Sequence, residues 1–210
     1  MQEITTYQQL QDQFNESENY LFDMDGTIMN TEVIHAMAIN MIIKEESSKE
    51  MDLTELEDLC IGLTDEIVYE KLKKSKHLTT ITLHDFLRVK KIFFKDILAT
   101  VEIEKIFDEK VRNLLEDMVK NNKKVALVTS SEKETTDLLL THLNLKQYFN
   151  IIITREDTKL NKPNPQPYLY AMEKLNLNAN NCLIFEDSEP GREAAVNSGA
   201  KLFKVDWYKA

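Results

Sequence analysis

The sequence predicts an open α/β sheet interrupted by a helical insertion, and three observations predict it. Short apolar runs of the kind that become buried strands fall at residues 20–22, 125–128, 151–153, 182–185 and 202–205. The stretches between the last four runs read as helices, and strict alternation of strand and helix implies parallel pairing through right-handed crossovers. The interval from 31 to about 100 shows only helical patterning, and at roughly 70 residues it is too long for a crossover helix.

In chain order, residues 4 to about 15 read as an outer helix that brings no chemistry. The run 20–22 is the first strand. Within the insertion, Ile67-Val68 with Lys71-Leu72, and Phe86-Leu87 with Ile92-Phe93 and Ile97-Leu98, recur at helical spacing. This block divides the chain into a core of residues 1–30 and 101–210 and a helical domain of residues 31–100. After the second strand, Ser131 with Glu134 forms a capping box for a helix over 132–144. Asn164 and Pro165 supply an N-cap and a first-turn proline for a helix running to about Leu175. Pro190 begins a helix that Gly199 can terminate. The chain ends soon after the fifth strand, so no sixth is expected.

Composition narrows the function classes. With 42% apolar and 30% charged residues, the chain has the make-up of a soluble globular protein. No run approaches the roughly 20 apolar residues that span a bilayer. The first residues form neither a basic nor an apolar leader, so a cytoplasmic location is expected. A net charge of −10 without a long basic cluster argues against nucleic acid or a membrane as partner. An acidic protein still handles an anionic substrate where a divalent cation offsets the repulsion. Cys60 and Cys182 sit among apolar neighbours and read as small core side chains in a reducing compartment.

The segment Tyr20-Leu21-Phe22-Asp23-Met24-Asp25-Gly26-Thr27 ends a strand with two aspartates that lean to the same side. Ligand sites in open parallel sheets lie at such strand ends, so the pair suggests a cation site. A turn rich in Asp and Gly is the plain alternative. An EF-hand loop fits worse, because its glycine and its bidentate glutamate come later in the loop. The second strand closes with Thr129-Ser130-Ser131. The third is followed by Lys162-Pro163-Asn164-Pro165-Gln166-Pro167, whose alternating prolines stiffen the chain around the lysine. The fourth ends with Glu186-Asp187-Ser188. Each motif has a bland role alone: Ser131 as a helix cap, Lys162 as a solvated side chain, Asp187 or Ser188 as another cap. Together they set carboxylates, hydroxyls, a lysine and further carboxylates at successive strand ends.

That ordering resembles the haloacid dehalogenase (HAD) superfamily over residues 20–205. Asp23-Met24-Asp25-Gly26-Thr27 is similar to its first motif, Thr129 to its second, Lys162 to its third and Glu186-Asp187 to its fourth. The tracts 161–168 and 186–195 resemble the beta-phosphoglucomutase-like branch, which includes CbbY-type phosphatases. The resemblance implies a Rossmannoid parallel-sheet core with an inserted α-helical cap domain over 31–100. It further implies a Mg2+-dependent phosphatase acting on a small phosphorylated metabolite. Asp23 would attack phosphorus to form an aspartyl-phosphate, and Asp25 would serve as general acid and then base. Lys162 and Thr129, with Ser130 beside them, would hold the substrate's phosphoryl group. Mg2+ would be held by Asp23, the backbone carbonyl of Asp25, Asp187, and Glu186 directly or through water.

The segment 60–67 looks like the branch's substrate-specificity loop. Mutases of this type carry a phosphate-binding arginine near Asp65, and phosphonatases a Schiff-base lysine. An aspartate does neither job and would repel a second phosphate, which favours plain hydrolysis. Thr64 and Asp65 are the candidates for substrate contact, and His35 matches a histidine common in the branch. Asn30 stands where the branch usually has aspartate, and Asp108-Glu109-Lys110 replaces a usual Pro-Gly helix start. Dehalogenation is disfavoured, because those enzymes use no metal and lack the second aspartate that Asp25 provides. A sugar-phosphate mutase and a catalytically quiet binding protein on the same fold remain as alternatives.

Overall fold

The computed structural model describes residues 2–4, 19–47, 50–60, 63–206 and 208. Its sheet is built from β1 (Gln2–Ile4), β2 (Asn19–Phe22), β3 (Lys124–Val128), β4 (Ile151–Ile153), β5 (Cys182–Glu186) and β6 (Lys201–Val205). The spatial order is β1-β6-β5-β2-β3-β4, and every pairing is parallel. The chain steps outward from β2 to β3 and β4, then returns to the other side of β2 for β5 and β6. This reversal sets a topological switch point beside β2, where open sheets form a crevice at their carboxyl ends.

The strands lie where the apolar runs placed them, with one correction. A sixth strand exists, and it comes from the beginning of the chain: Gln2 lies opposite Phe203 and Ile4 opposite Val205. Ile4 is therefore in a strand and not in the expected outer helix, most of which falls outside the described residues. The edge of β6 offers unpaired backbone N–H and C=O groups, and pairing with them overrides a weak helical pattern.

Between β2 and β3 run α1 (Glu32–Ser47), α2 (Leu53–Cys60), α3 (Asp65–Lys74) and α4 (Leu83–Leu98), then α5 (Ile103–Ile106) and α6 (Glu109–Lys120). Helices α7 (Lys133–His142), α8 (Gln166–Leu175) and α9 (Glu189–Asn197) follow β3, β4 and β5. The chain separates into two compact units, Met1–Asn30 with Ile103–Ala210, and Thr31–Glu102.

Local chemistry explains the helix starts. Asp108 caps α6 by accepting from the Lys110 N–H at 2.9 Å. Ser188 caps α9 through the Gly191 N–H, and Gly199, at φ +80°, ends that segment. Asn164 stands one residue outside the cap of α8, yet its Oδ1 still accepts from the Gln166 N–H at 2.9 Å. The capping box expected on Ser131 does not form. Helix α7 begins one residue later, at Lys133 with Glu132 as its cap residue, and the Lys133 N–H is taken by the Glu156 carboxylate at 3.0 and 3.1 Å. A carboxylate from another loop has displaced the local hydroxyl.

One face of the sheet packs Leu21, Val128, Ile153 and Ile184 against Tyr168 and Ala171 of α8 and Ala194 and Ala195 of α9. Across β2, β5 and β6, Phe22, Phe185 and Phe203 stack with centroid spacings of 4.6 and 5.9 Å. Such pairs add about 0.5–1.5 kcal/mol beyond area burial, and they fix the strand register just before the acidic ends. The inserted unit has its own core, with Ile39, Ile42 and Ile43 of α1 packed on Leu56, Val68, Leu72 and Phe86. Cys60 and Cys182 are both buried and free. Among the described residues, no helix is long and apolar enough to cross a membrane.

Candidate active site

Asp23 is placed by the sheet itself. Its N–H donates to the Phe185 carbonyl at 3.0 Å, and Phe22 lies opposite Phe185. The end of β2 is thereby held level with Glu186 and Asp187 at the end of β5. All three carboxylates are buried, and each offers a ligand oxygen within 4.8 Å of the others. Lys162 enters this cluster from the proline-rich loop after β4. Its Nζ donates to Asp23 Oδ1 at 2.5 Å, to Glu186 Oε1 at 2.6 Å and to the Val128 carbonyl at 2.8 Å. Those three bonds use every donor of the ammonium.

Two further groups complete the cluster. The buried Tyr168 hydroxyl donates to Glu186 Oε1 at 2.9 Å, and the Lys162 Nζ stands 4.9 Å from the centre of the Tyr168 ring. Glu186 Oε2 accepts from the Ser188 backbone N–H and hydroxyl. Sequence reasoning missed Tyr168; the only signal was an aromatic residue in the first turn of the helix that leaves the Lys162 loop. Asp187 accepts from the Thr27 hydroxyl, while the Arg192 guanidinium donates to its backbone carbonyl. Two glycines make room. A Cβ on Gly26 would lie 2.3 Å from Asp187 Oδ2, and one on Gly191 would lie 1.8 Å from Glu186 Oε1.

The electrostatics follow from this crowding. Burial, and then the Glu186 carboxylate, push the Asp23 carboxyl well above the usual carboxylate range, although Lys162 pulls it down. Burial alone would lower the Lys162 ammonium, but Asp23 and Glu186 outweigh it and hold it above its ordinary value. Lys162 therefore offsets only part of the negative charge. Clustered carboxylate oxygens that remain under-compensated in a buried site are the donor set a hard divalent cation takes, so the residues fit Mg2+.

Asp25 lies beside this cluster and is tied to the end of β3. Its Oδ2 accepts from the Ser131 hydroxyl at 2.7 Å and from the Thr129 hydroxyl at 3.3 Å. The Thr129 oxygen in turn accepts from the Ser131 N–H at 3.0 Å. The structure thus brings together Asp23, Asp25, Thr129, Lys162, Glu186 and Asp187. Ser130 is exposed at the end of the same strand.

The remaining candidates belong to the inserted unit. Thr64 is exposed and precedes α3, whose first residue is Asp65. Asp65 is not a lone anion, because the buried Lys90 ammonium pairs with its Oδ1. The repulsion of a second phosphate expected from Asp65 is offset by that pairing. His35 packs against Phe94 with the rings tilted and their centroids 4.8 Å apart, and its buried Nδ1 has no hydrogen-bond partner among the described residues. Burial, and then Lys90, hold its imidazole well below the usual histidine value. Ile61 and Gly62 of the expected specificity loop lie outside the described residues.

The family model described as haloacid dehalogenase-like hydrolase matches residues 20–205. A phosphorylated carbohydrates phosphatase from Thermotoga maritima is 29% identical, over 87% of this chain and 82% of its own length. A fructose-1-phosphate phosphatase from Escherichia coli is 27% identical, over 88% and 94%. The crystal structure of CbbY from Rhodobacter sphaeroides in complex with phosphate superimposes with a TM-score of 0.73 at 21% identity. That match covers 91% of this chain and 88% of the other, a likeness of fold.

Proposed function

We propose a chemistry for this site on one premise: the chain belongs to the haloacid dehalogenase-like hydrolase family and is a phosphatase. The reaction is hydrolysis of a small phosphorylated metabolite through an aspartyl-phosphate on Asp23, with Mg2+ as cofactor. The observation that carries this reading is the Lys162 ammonium bridging Asp23 and Glu186, with Asp187 in the same buried cluster.

Bound Mg2+ would screen the anionic ester from the carboxylates and draw charge from a phosphoryl oxygen. The oxygens of Asp23 and Asp187 and the Asp25 backbone carbonyl would hold it, with Glu186 bound directly or through water. Lys162 fixes Asp23 by taking Oδ1, which directs the nucleophile's other oxygen at phosphorus. As the Asp23–phosphorus bond forms and the ester P–O bond breaks, Asp25 gives its proton to the departing oxygen. In the second half, water loses a proton to Asp25 and attacks phosphorus, and the Asp23 carboxylate leaves. The balance is ester plus water giving alcohol plus inorganic phosphate. The names of the two relatives, one a phosphatase of phosphorylated carbohydrates and one of fructose 1-phosphate, support that substrate class.

The test is hydrolysis of p-nitrophenyl phosphate with Mg2+ and with excess chelator. Turnover is expected only with the metal, and Asp23→Asn is expected to lower kcat by about four orders of magnitude or more. Equal turnover by the variant, or no metal-dependent turnover at all, would move the assignment to a binding protein on this fold.

A further inference from the structure

We propose that Ser131 is a positioning residue for the acid–base carboxylate of Asp25; this rests on the reading that Asp25 moves the proton. The motif containing Ser131 is one that helix capping does not use. Glu156 occupies the first free N–H of α7, and Glu132 is the cap residue, so the Ser131 hydroxyl is released from the helix. It donates to Asp25 Oδ2 at 2.7 Å, the shorter of the two hydroxyl contacts on that oxygen.

The direction of that hydroxyl is set by backbone bonds on both sides of the residue. The Ser131 N–H donates to the Thr129 oxygen at 3.0 Å, and the Ser131 carbonyl accepts from the Arg155 N–H at 3.1 Å. Thr129 is itself fixed by its N–H bond to the Ile153 carbonyl at 2.9 Å. Ser131 is thus braced between the ends of β3 and β4, and it presents a preset donor to a side chain from the end of β2. Preset donors cost no reorganisation during reaction.

Two hydroxyl donors converging on Oδ2 fix the plane of the Asp25 carboxyl. The proton in transit is then carried by Oδ1. In the first half-reaction Oδ1–H passes to the departing alkoxide as the P–O bond breaks; in the second Oδ1 receives a proton from the attacking water. Ser131 keeps its own proton throughout. Its contribution is the orientation of Oδ1, and orientation counts most where the leaving oxygen depends on that proton.

The test compares kcat/KM for two esters in the full-length Mg2+-supplied enzyme: p-nitrophenyl phosphate, with a good leaving group, and fructose 1-phosphate, with a poor one. Ser131→Ala is expected to lower kcat/KM for fructose 1-phosphate about tenfold and for the aryl ester less than about twofold. Ser131→Thr, which keeps a hydroxyl, is expected to restore the alkyl ester to within about twofold of wild type. In an Asp25→Asn background, Ser131→Ala is expected to cause no further loss. Equal losses on both esters, or no loss on either, overturn the role of Ser131 while leaving that of Asp25 intact. Asp25→Asn retaining full activity on fructose 1-phosphate would instead remove the reading on which this one rests. A thermal melt shows whether each variant is folded, and Ser131→Thr decides the matter should Ser131→Ala unfold.

Discussion

The two units of the molecule treat charge in opposite ways. In the inserted unit it is balanced where it stands. The buried Lys90 ammonium pairs with Asp65, and the Glu46 carboxylate gathers the N–H groups of Thr79, Thr80 and Ile81 with the hydroxyls of Thr79 and Thr80. At the strand ends of the sheet, three buried carboxylates cluster, Lys162 bridges two of them, and Asp23 remains pushed upward in spite of it. Charge that is satisfied locally is architecture. Charge left over in a buried, pre-formed cluster marks where a ligand of opposite sign belongs.

The contrast can be broken most forcefully at Lys162. Replacing it with Met removes the one ion-pair partner that Asp23 and Glu186 have among the described residues and leaves both carboxylates buried. Urea denaturation in chelator is expected to show a loss of about 3–5 kcal/mol. A loss below about 1 kcal/mol would mean that solvent already screens the cluster, and the contrast between the units would collapse.

A smaller effect is expected at Gly191. Its Cβ would fall 1.8 Å from Glu186 Oε1, the oxygen that receives both Lys162 and Tyr168. Gly191→Ala should cost about 1–3 kcal/mol by overpacking, and should lower kcat because Glu186 shifts the lysine. Unchanged kcat would show that Glu186 does not hold Lys162 in place for chemistry.

The smallest effect lies in the inserted unit. Burial would raise the Glu46 carboxyl, but its hydrogen bonds from Thr80, Thr79 and Ile81 bring it down from 4.5 to about 2. A depressed carboxylate adds stability above its unfolded value, and that stability is lost as pH falls from about 4.5 toward 2. Because Glu46 faces solvent, Glu46→Gln should flatten this acid limb by less than about 1 kcal/mol, read from denaturation midpoints against pH. An acid limb as steep as that of wild type would remove Glu46 from the account.

Legibility in the sequence followed how local each determinant is. The run Ile151–Ile153 is the whole of β4, and contiguous apolar residues likewise marked β3 and β5. β1 was illegible because Gln2-Glu3-Ile4 has no strand pattern of its own and is a strand only through the edge of β6. The acidic strand ends were readable from motif order, since the sheet brings those ends together, and Lys162 was readable from the proline-rich loop that follows β4. Ser131 was misread because its Ser-x-x-Glu spacing satisfies a local rule, while the competing partners, Asp25 and Glu156, are distant in sequence. Tyr168 and the Asp65–Lys90 pair escaped for the same reason: neither partner carries any mark of the other.

The most direct measurement is a calorimetric titration of Mg2+ into protein freed of metal by chelation, at neutral pH. One saturable site is expected in the wild type, lost in Asp187→Asn, with a rise in Tm only where the site is intact. Absence of binding, or equal binding by Asp187→Asn, would contradict a cation site in this cluster.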